Sequence, residues 1–171
     1  MDFNLNYIVQ VDKDINMFQR KHYERLLSML RIDADGNHLE RVDFRKAKIK
    51  NLDLSGLDLS NFDFAESNLR NINFSNCVLT KCSFEKATLL ACNFSGARMK
   101  APSSLFQINA KNCDFSNAVL CGDLKWMVVE NCNFENATFI GLLTSVDFSS
   151  CKMDNHKIEG QTTLSGLIFP K

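Results

Sequence analysis

From Val42 onward an apolar residue returns at every fifth position: Phe44, Ile49, Leu54, Leu59, Phe64, Leu69, Phe74, Leu79, Phe84, Leu89, Phe94 and Met99. Two residues before each stands a second small or apolar side chain, from Val42 and Ala47 through Ser67 and Cys77 to Cys92 and Ala97. A period of five fits neither the roughly 3.6-residue repeat of a helix nor the plain alternation of a long strand. It fits a three-residue strand fragment whose outer two side chains share a face, followed by two residues, often Ser-Gly, Ser-Asn or Glu-Asn, that turn the chain. Gly56, Asn76, Gly96, Asn117 and Asn136 fall at these corners and are residue types that tolerate left-handed backbone angles.

A longer period contains the short one. The stretches ACNFSGARM, NCDFSNAVL and NCNFENATF place Cys92/Phe94, Cys113/Phe115 and Cys132/Phe134 at steps of 21 and 19 residues. Four five-residue sides would close a square coil, so residues about twenty apart should stack as ladders. One ladder then reads Leu54, Phe74, Phe94, Phe115, Phe134, Met153, with Leu52, Ile72, Cys92, Cys113, Cys132, Cys151 beside it. The frame gains a residue after Met99 and loses one near Gly122 and another near Gly141, so that Leu105, Leu124 and Leu143 each open a new coil. The count reaches twenty-four five-residue units, or six coils, and at about 4.8 Å per coil the rod is on the order of 29 Å long.

This pattern resembles the pentapeptide-repeat family, whose consensus is roughly A(D/N)LXX, over about Val42 to Ile158. The resemblance implies an all-β fold: a right-handed quadrilateral β-helix with the central Leu or Phe, and the residue two before it, pointing inward. An open coil end exposes unpaired backbone and apolar side chains, so both ends need covers. Asp14 to Arg31 carries Ile15, Phe18, Leu26, Leu27 and Leu30 on one helical face, with Asp12 or Asp14 as N-cap and DADG as the stop. The expected organisation is an N-terminal segment over 1–40 with a capping helix at about 14–31, the repeats over 41–160, and a tail over 161–171 covering the last coil.

Net charge narrows the partners. Twenty basic and twenty acidic residues balance, so no global field draws the chain to nucleic acid or an anionic membrane, and nucleic acid is not expected as a partner. The start MDFNLNYIVQVDKD lacks a basic region leading into a long apolar run, and nowhere do eighteen apolar residues follow one another. Neither a Sec-type signal nor a membrane span is expected. Seven cysteines without a CxxC pair suggest reduced thiols in a cytosol rather than disulfides or zinc. Cys77, Cys82, Cys92, Cys113, Cys132 and Cys151 occupy inward positions, where a small apolar side chain fits, and Cys121 an outward one.

Candidate chemistry is sparse. His22, His38 and His156 share no ligand spacing, so no metal or cofactor is expected. Asp53, Asp58 and Asp63 recur because the residue between two inward anchors faces solvent. There is no nucleophile elbow, Walker loop or dinucleotide fingerprint, and a rod filled by its own side chains leaves no pocket for a substrate. No catalytic residue is assigned and no enzyme is expected.

What remains is surface. Arg41, Arg45, Lys46, Lys48 and Lys50 form a basic patch on the first coil that could bind phosphate or an acidic partner. The leading expectation is a rigid protein-binding module, either a bacterial cytoplasmic adaptor or an effector delivered into a host cell, acting as a monomer or an end-to-end homodimer. The resemblance implies two alternatives. One is a DNA mimic that occupies DNA gyrase or topoisomerase IV, as the quinolone-resistance members do; the zero net charge and the lack of a helical pattern after Ile158 speak against it. The other is the recognition part of a larger effector enzyme.

Overall fold

The computed structural model describes residues 41–171; the expected capping helix at about 14–31 lies outside them. The described chain contains eleven strands and no helix. Strand pairing is parallel throughout and joins residues about twenty apart: Val42 with Phe62, Lys48 with Asn68, Asn68 with Thr88, Val119 with Thr138. The chain therefore winds as a four-sided β-helix of about six coils, in the register that the five-residue period predicts.

The longest ladder forms the second side. Lys48–Asp53, Asn68–Asn73, Thr88–Leu90, Asn109–Lys111 and Val128–Glu130 lie side by side as a five-stranded sheet. Towards the far end Val119–Asp123, Thr138–Asp147, Lys157–Ile158 and Thr163–Ile168 form a four-stranded sheet, and single bridges join coils elsewhere, such as Asn73 with Asn93, Asn93 with Asp114 and Asp114 with Asn133 on the third side.

Each corner is built from the same parts. At the third-side corner of the second coil, the Cys77 N–H donates to the Phe74 carbonyl at 3.1 Å, closing a tight turn whose third residue, Asn76, sits at φ 57°. The Asn73 side chain secures it by accepting the Ser75 N–H at 3.1 Å. Asp53, Asp58, Asn93, Asp114 and Asn133 accept the amide two residues on in the same way, which is why Asp and Asn recur between the inward anchors. Gly56, Gly96, Asn117 and Asn136 adopt the positive φ expected of them, but so do Lys46, Glu66, Lys86, Ala91 and Trp126. Inter-coil hydrogen bonds hold these side chains in a conformation they enter less readily than glycine or asparagine do.

The shaft is filled by phenylalanine. Phe74, Phe94, Phe115 and Phe134 stack at centroid distances of 4.7, 5.0 and 4.9 Å with near-parallel rings. Phe64 stacks on Phe84 at 4.9 Å on the opposite side, and the two stacks meet edge to face at Phe74–Phe84. Stacking along the axis and edge contact across it are the two arrangements that the ring quadrupole favours.

The frame shifts have local causes. Between Met99 and Leu105 the step is six residues, and the extra length bulges outward while Ser103 remains buried, its hydroxyl near the carbonyls of Lys100 and Leu79. Between Leu120 and Leu124 the step is four residues, and the place of the missing inward side chain is taken by Gly122 at φ 129°. A Cβ there would collide with the Ser103 carbonyl oxygen, so only glycine fits. Gly141 repeats the device one coil later against Gly122.

Past residue 160 the winding continues. Thr163–Ile168 pairs in parallel with Leu142–Asp147, and Phe169 stacks on Phe148 at 5.8 Å and on His156 at 5.3 Å.

Candidate functional site

The five cations singled out in the sequence divide between two sides of the rod. Arg41 donates to Asp63 at 2.7 Å, and Arg45 reaches the same carboxylate at 3.6 Å while making a two-point contact with Asp43 at 2.6 and 3.0 Å. The hydrogen bond from Arg45 holds the Asp43 carboxyl below its ordinary range, against a smaller opposing effect of burial. Lys46 lies 3.7 Å from Glu66. These three cations neutralise acids of the first two coils. They also account for Asp63: it sits between inward anchors, yet its side chain is only 4% exposed because the two arginines cover it.

Lys48 and Lys50 are placed otherwise. They project from the second side, where every second strand residue faces out. Arg70 is the sheet partner of Lys50. Lys48, Lys50 and Arg70 are exposed and have no ion pair among the described residues. Further along this side Asn68, Thr88 and Asn109 continue the column of Lys48, and the next cation, Lys111, is paired with Glu130 at 2.8 Å. Three cations without an ion pair among the described residues thus share one end of a flat face. Arg70 escaped the sequence reading because it is twenty positions from Lys50; the stacking period, applied to outward residues as well as inward ones, would have found it.

At the other end of the same side lies an apolar cluster. Val128 is 60% exposed and Trp126, at the adjoining corner, 50%. The Trp126 ring lies 5.3 Å from Phe106, and the Lys125 ammonium sits 5.6 Å from the Phe106 centroid and 5.8 Å from that of Trp126. This is cation–π distance. These rings occupy outward positions of the repeat and are not part of the shaft.

The cysteine ladder lies inside. Cys77, Cys82, Cys92, Cys113, Cys132 and Cys151 are buried and reduced, and Cys121 is half-buried. Cys77 donates to the Leu54 carbonyl at 3.0 Å and Cys82 to that of Leu59 at 2.9 Å, each a neighbouring coil's backbone. The Cys113 thiol pushes Cys132 up to about 11, with burial adding to the effect. For Cys113, the pull of Cys132 is outweighed by Cys92 and burial, and the value rises to about 12. Cys113 and Cys132 are therefore protonated at neutral pH and sealed from solvent, which suits packing and not nucleophilic chemistry. Among the described residues no group of three His, Cys, Asp or Glu side chains could hold a metal ion, and no helix is long and apolar enough to cross a membrane.

The surface has a cleft that the repeat pattern did not announce. It encloses about 400 Å³ beside the six-residue step and is lined chiefly by Arg41, Asn61, Lys81, Ser83, Pro102 and Ser104.

A family model described as pentapeptide repeats, in eight copies, matches residues 58–96. Residues 58–96 thus carry pentapeptide repeats, and the corners and ladders described above continue a five-residue unit beyond the matched segment to both ends of the described coil. Among solved structures it is similar to QnrB1, a plasmid-mediated fluoroquinolone resistance protein, with 17% identity over 73% of this chain and 69% of that one at a TM-score of 0.42. HetL, a pentapeptide repeat protein involved in heterocyst differentiation regulation from the cyanobacterium Nostoc sp. strain PCC 7120, aligns with 13% identity over 90% of this chain and 93% of that one, at a TM-score of 0.32. For Rfr23, from the cyanobacterium Cyanothece 51142, the identity is 14% over 71% and 87%, with a TM-score of 0.27. Comparison with curated proteins found no match.

Proposed function

We propose that this β-helix is a protein-binding module that works by presenting its second side to a partner, without catalysis. The observation that carries the reading is the cluster Lys48, Lys50 and Arg70, without an ion pair among the described residues, at one end of a flat five-stranded face. A rigid sheet face costs little backbone entropy to engage, because the backbone is already ordered and only the side chains have freedom left to lose. Cations on it favour an acidic counterpart and speed the encounter. The exposed Trp126 at the far end is of a residue type that supplies much of the energy when an interface closes over it, and Val128 beside it adds apolar area.

The bacterial cytosol as its place of action, and delivery to a host as an alternative, follow from the family resemblance and form part of the same proposal. The test is affinity capture from native bacterial lysate with the wild-type chain and with a K48E/K50E/R70E variant, read by mass spectrometry. A partner retained by the wild type and lost from the variant supports the reading. A partner set identical for the two proteins moves binding off this face.

A further inference from the structure

We propose that the cleft beside the six-residue step binds a small, multiply charged oxyanion, of the kind presented by a phosphate ester or a polycarboxylate.

The cleft exists because the step from Met99 to Leu105 has one residue more than the repeat allows. Ser103, inward and buried, stays tied to the Lys100 and Leu79 carbonyls. Pro102 and its neighbours therefore stand proud of the corner and wall off about 400 Å³ against the coils before it. That volume lies within the range of small-molecule sites.

The lining is one-sided in charge and in hydrogen-bonding sense. Arg41 and Lys81 contribute two cations, Asn61, Ser83 and Ser104 contribute side-chain donors, and no carboxylate lines the cleft. Arg41 is ion-paired with the nearby buried Asp63, so it offers a ligand its remaining N–H donors, and the net charge of the cleft comes from Lys81. Lys81 has no ion pair among the described residues. Ser83 and Ser104 each use an oxygen lone pair to accept an amide, from Glu85 at 3.3 Å and from Phe106 at 3.2 Å. Their hydroxyl protons are left to point outward, and accepting an N–H makes each hydroxyl a better donor.

The β-helix sets the spacing. Ser83 and Ser104 are bridge partners on successive coils. Asn61 and Lys81 are the equivalent corner residues of successive coils, at φ 66° and 57°. Two donor ladders, each with a rung of about 4.8 Å, thus flank one hollow. That arrangement addresses several oxygens of one anion at once, as charge-assisted hydrogen bonds require. It is independent of partner binding on the second side.

The experiment is a titration of the ¹⁵N-labelled full chain, followed by amide shifts, with inorganic phosphate in one arm and citrate in the other, ionic strength held constant with sodium chloride. The expected result is saturable shifts confined to residues around Asn61, Lys81, Ser83 and Ser104 in at least one arm, and the tighter arm identifies the ligand class. In K81Q, whose substituted side chain is exposed and outside the core, the apparent affinity should fall roughly tenfold. S83A should weaken it as well, while K157Q, on a remote stretch of the fourth side, should leave it unchanged. Shifts that rise without saturation in both arms, that spread over the lysines of the surface, or that are the same in K81Q as in the wild type overturn the proposal.

Discussion

The rings of Phe115 and Phe134 lie 4.9 Å apart and within 3° of parallel, although nineteen residues separate them in the chain. Phe94 stacks on the other side of Phe115 at 5.0 Å. The central ring is fully enclosed by two coils that contact each other through it, as nearest-neighbour stability in a solenoid requires. Phe115→Ala would leave a ring-sized void in a shaft whose walls are hydrogen-bonded and cannot collapse. The expected loss is about 3–5 kcal/mol, read by denaturant unfolding. An unchanged midpoint would mean that the coils do not depend on this stack.

Gly122→Ala tests the four-residue step. The backbone there sits at φ 129°, and the Ser103 carbonyl occupies the place of a side chain. Strain and overlap together should cost at least about 2 kcal/mol. Gly56→Asn is the control: φ is 67° at an ordinary corner of a kind that asparagine fills elsewhere in the chain, so the loss should stay below about 1 kcal/mol. Equal effects for the two substitutions would show that Gly122 is simply another corner.

The thiol ladder gives the protein an alkaline limit. Cys132 and Cys113 are shifted upward in the folded chain, to about 11 and about 12, from an ordinary 9.0. Between these values the folded state holds protons that the unfolded chain releases, so stability falls as pH rises. The contribution is complete below about pH 9 and is lost on the way to pH 11–12. Denaturant midpoints measured from pH 7 upward should therefore decline above about pH 9, and the decline should flatten in C113A/C132A. At neutral pH, Cys121 should react with a thiol reagent ahead of the six buried cysteines; simultaneous labelling of all seven in the native state would contradict their burial.

The pattern of apolar residues disclosed a great deal of this molecule, for a physical reason. A ladder such as Phe74, Phe94, Phe115, Phe134 repeats because each coil must fill the same cross-section, so packing writes the fold directly into the spacing. Even the frame shifts at Gly122 and Gly141 could be located by counting. Their cause could not, because the collision that excludes a Cβ at Gly122 is with the Ser103 carbonyl of the preceding coil. The exterior was harder to read, since outward residues obey no packing constraint and their neighbours are set by winding. Arg41, Arg45 and Lys46 look like companions of Lys48 and Lys50 in the chain, yet they turn to Asp63, Asp43 and Glu66. Arg70, twenty residues away, is the companion that Lys50 has in space.

The last coil depends on the strand that follows it. Thr163–Ile168 satisfies the backbone of Leu142–Asp147, with the Phe148 N–H donating to the Ile168 carbonyl at 2.7 Å. Phe169 then lies over both Phe148 and His156. Ending the chain after Gly160 would strip these partners and expose an unpaired parallel edge together with the Phe148 ring, the combination that drives edge-to-edge association. The truncated protein should melt at a lower temperature and elute early on size-exclusion chromatography. Phe169→Ala, which keeps the strand and removes only the ring, should lower the melting temperature less and leave the elution volume unchanged. If the truncated chain stays monodisperse and melts with the full-length protein, coil six closes without the strand, and the contacts of Phe169 carry no stability.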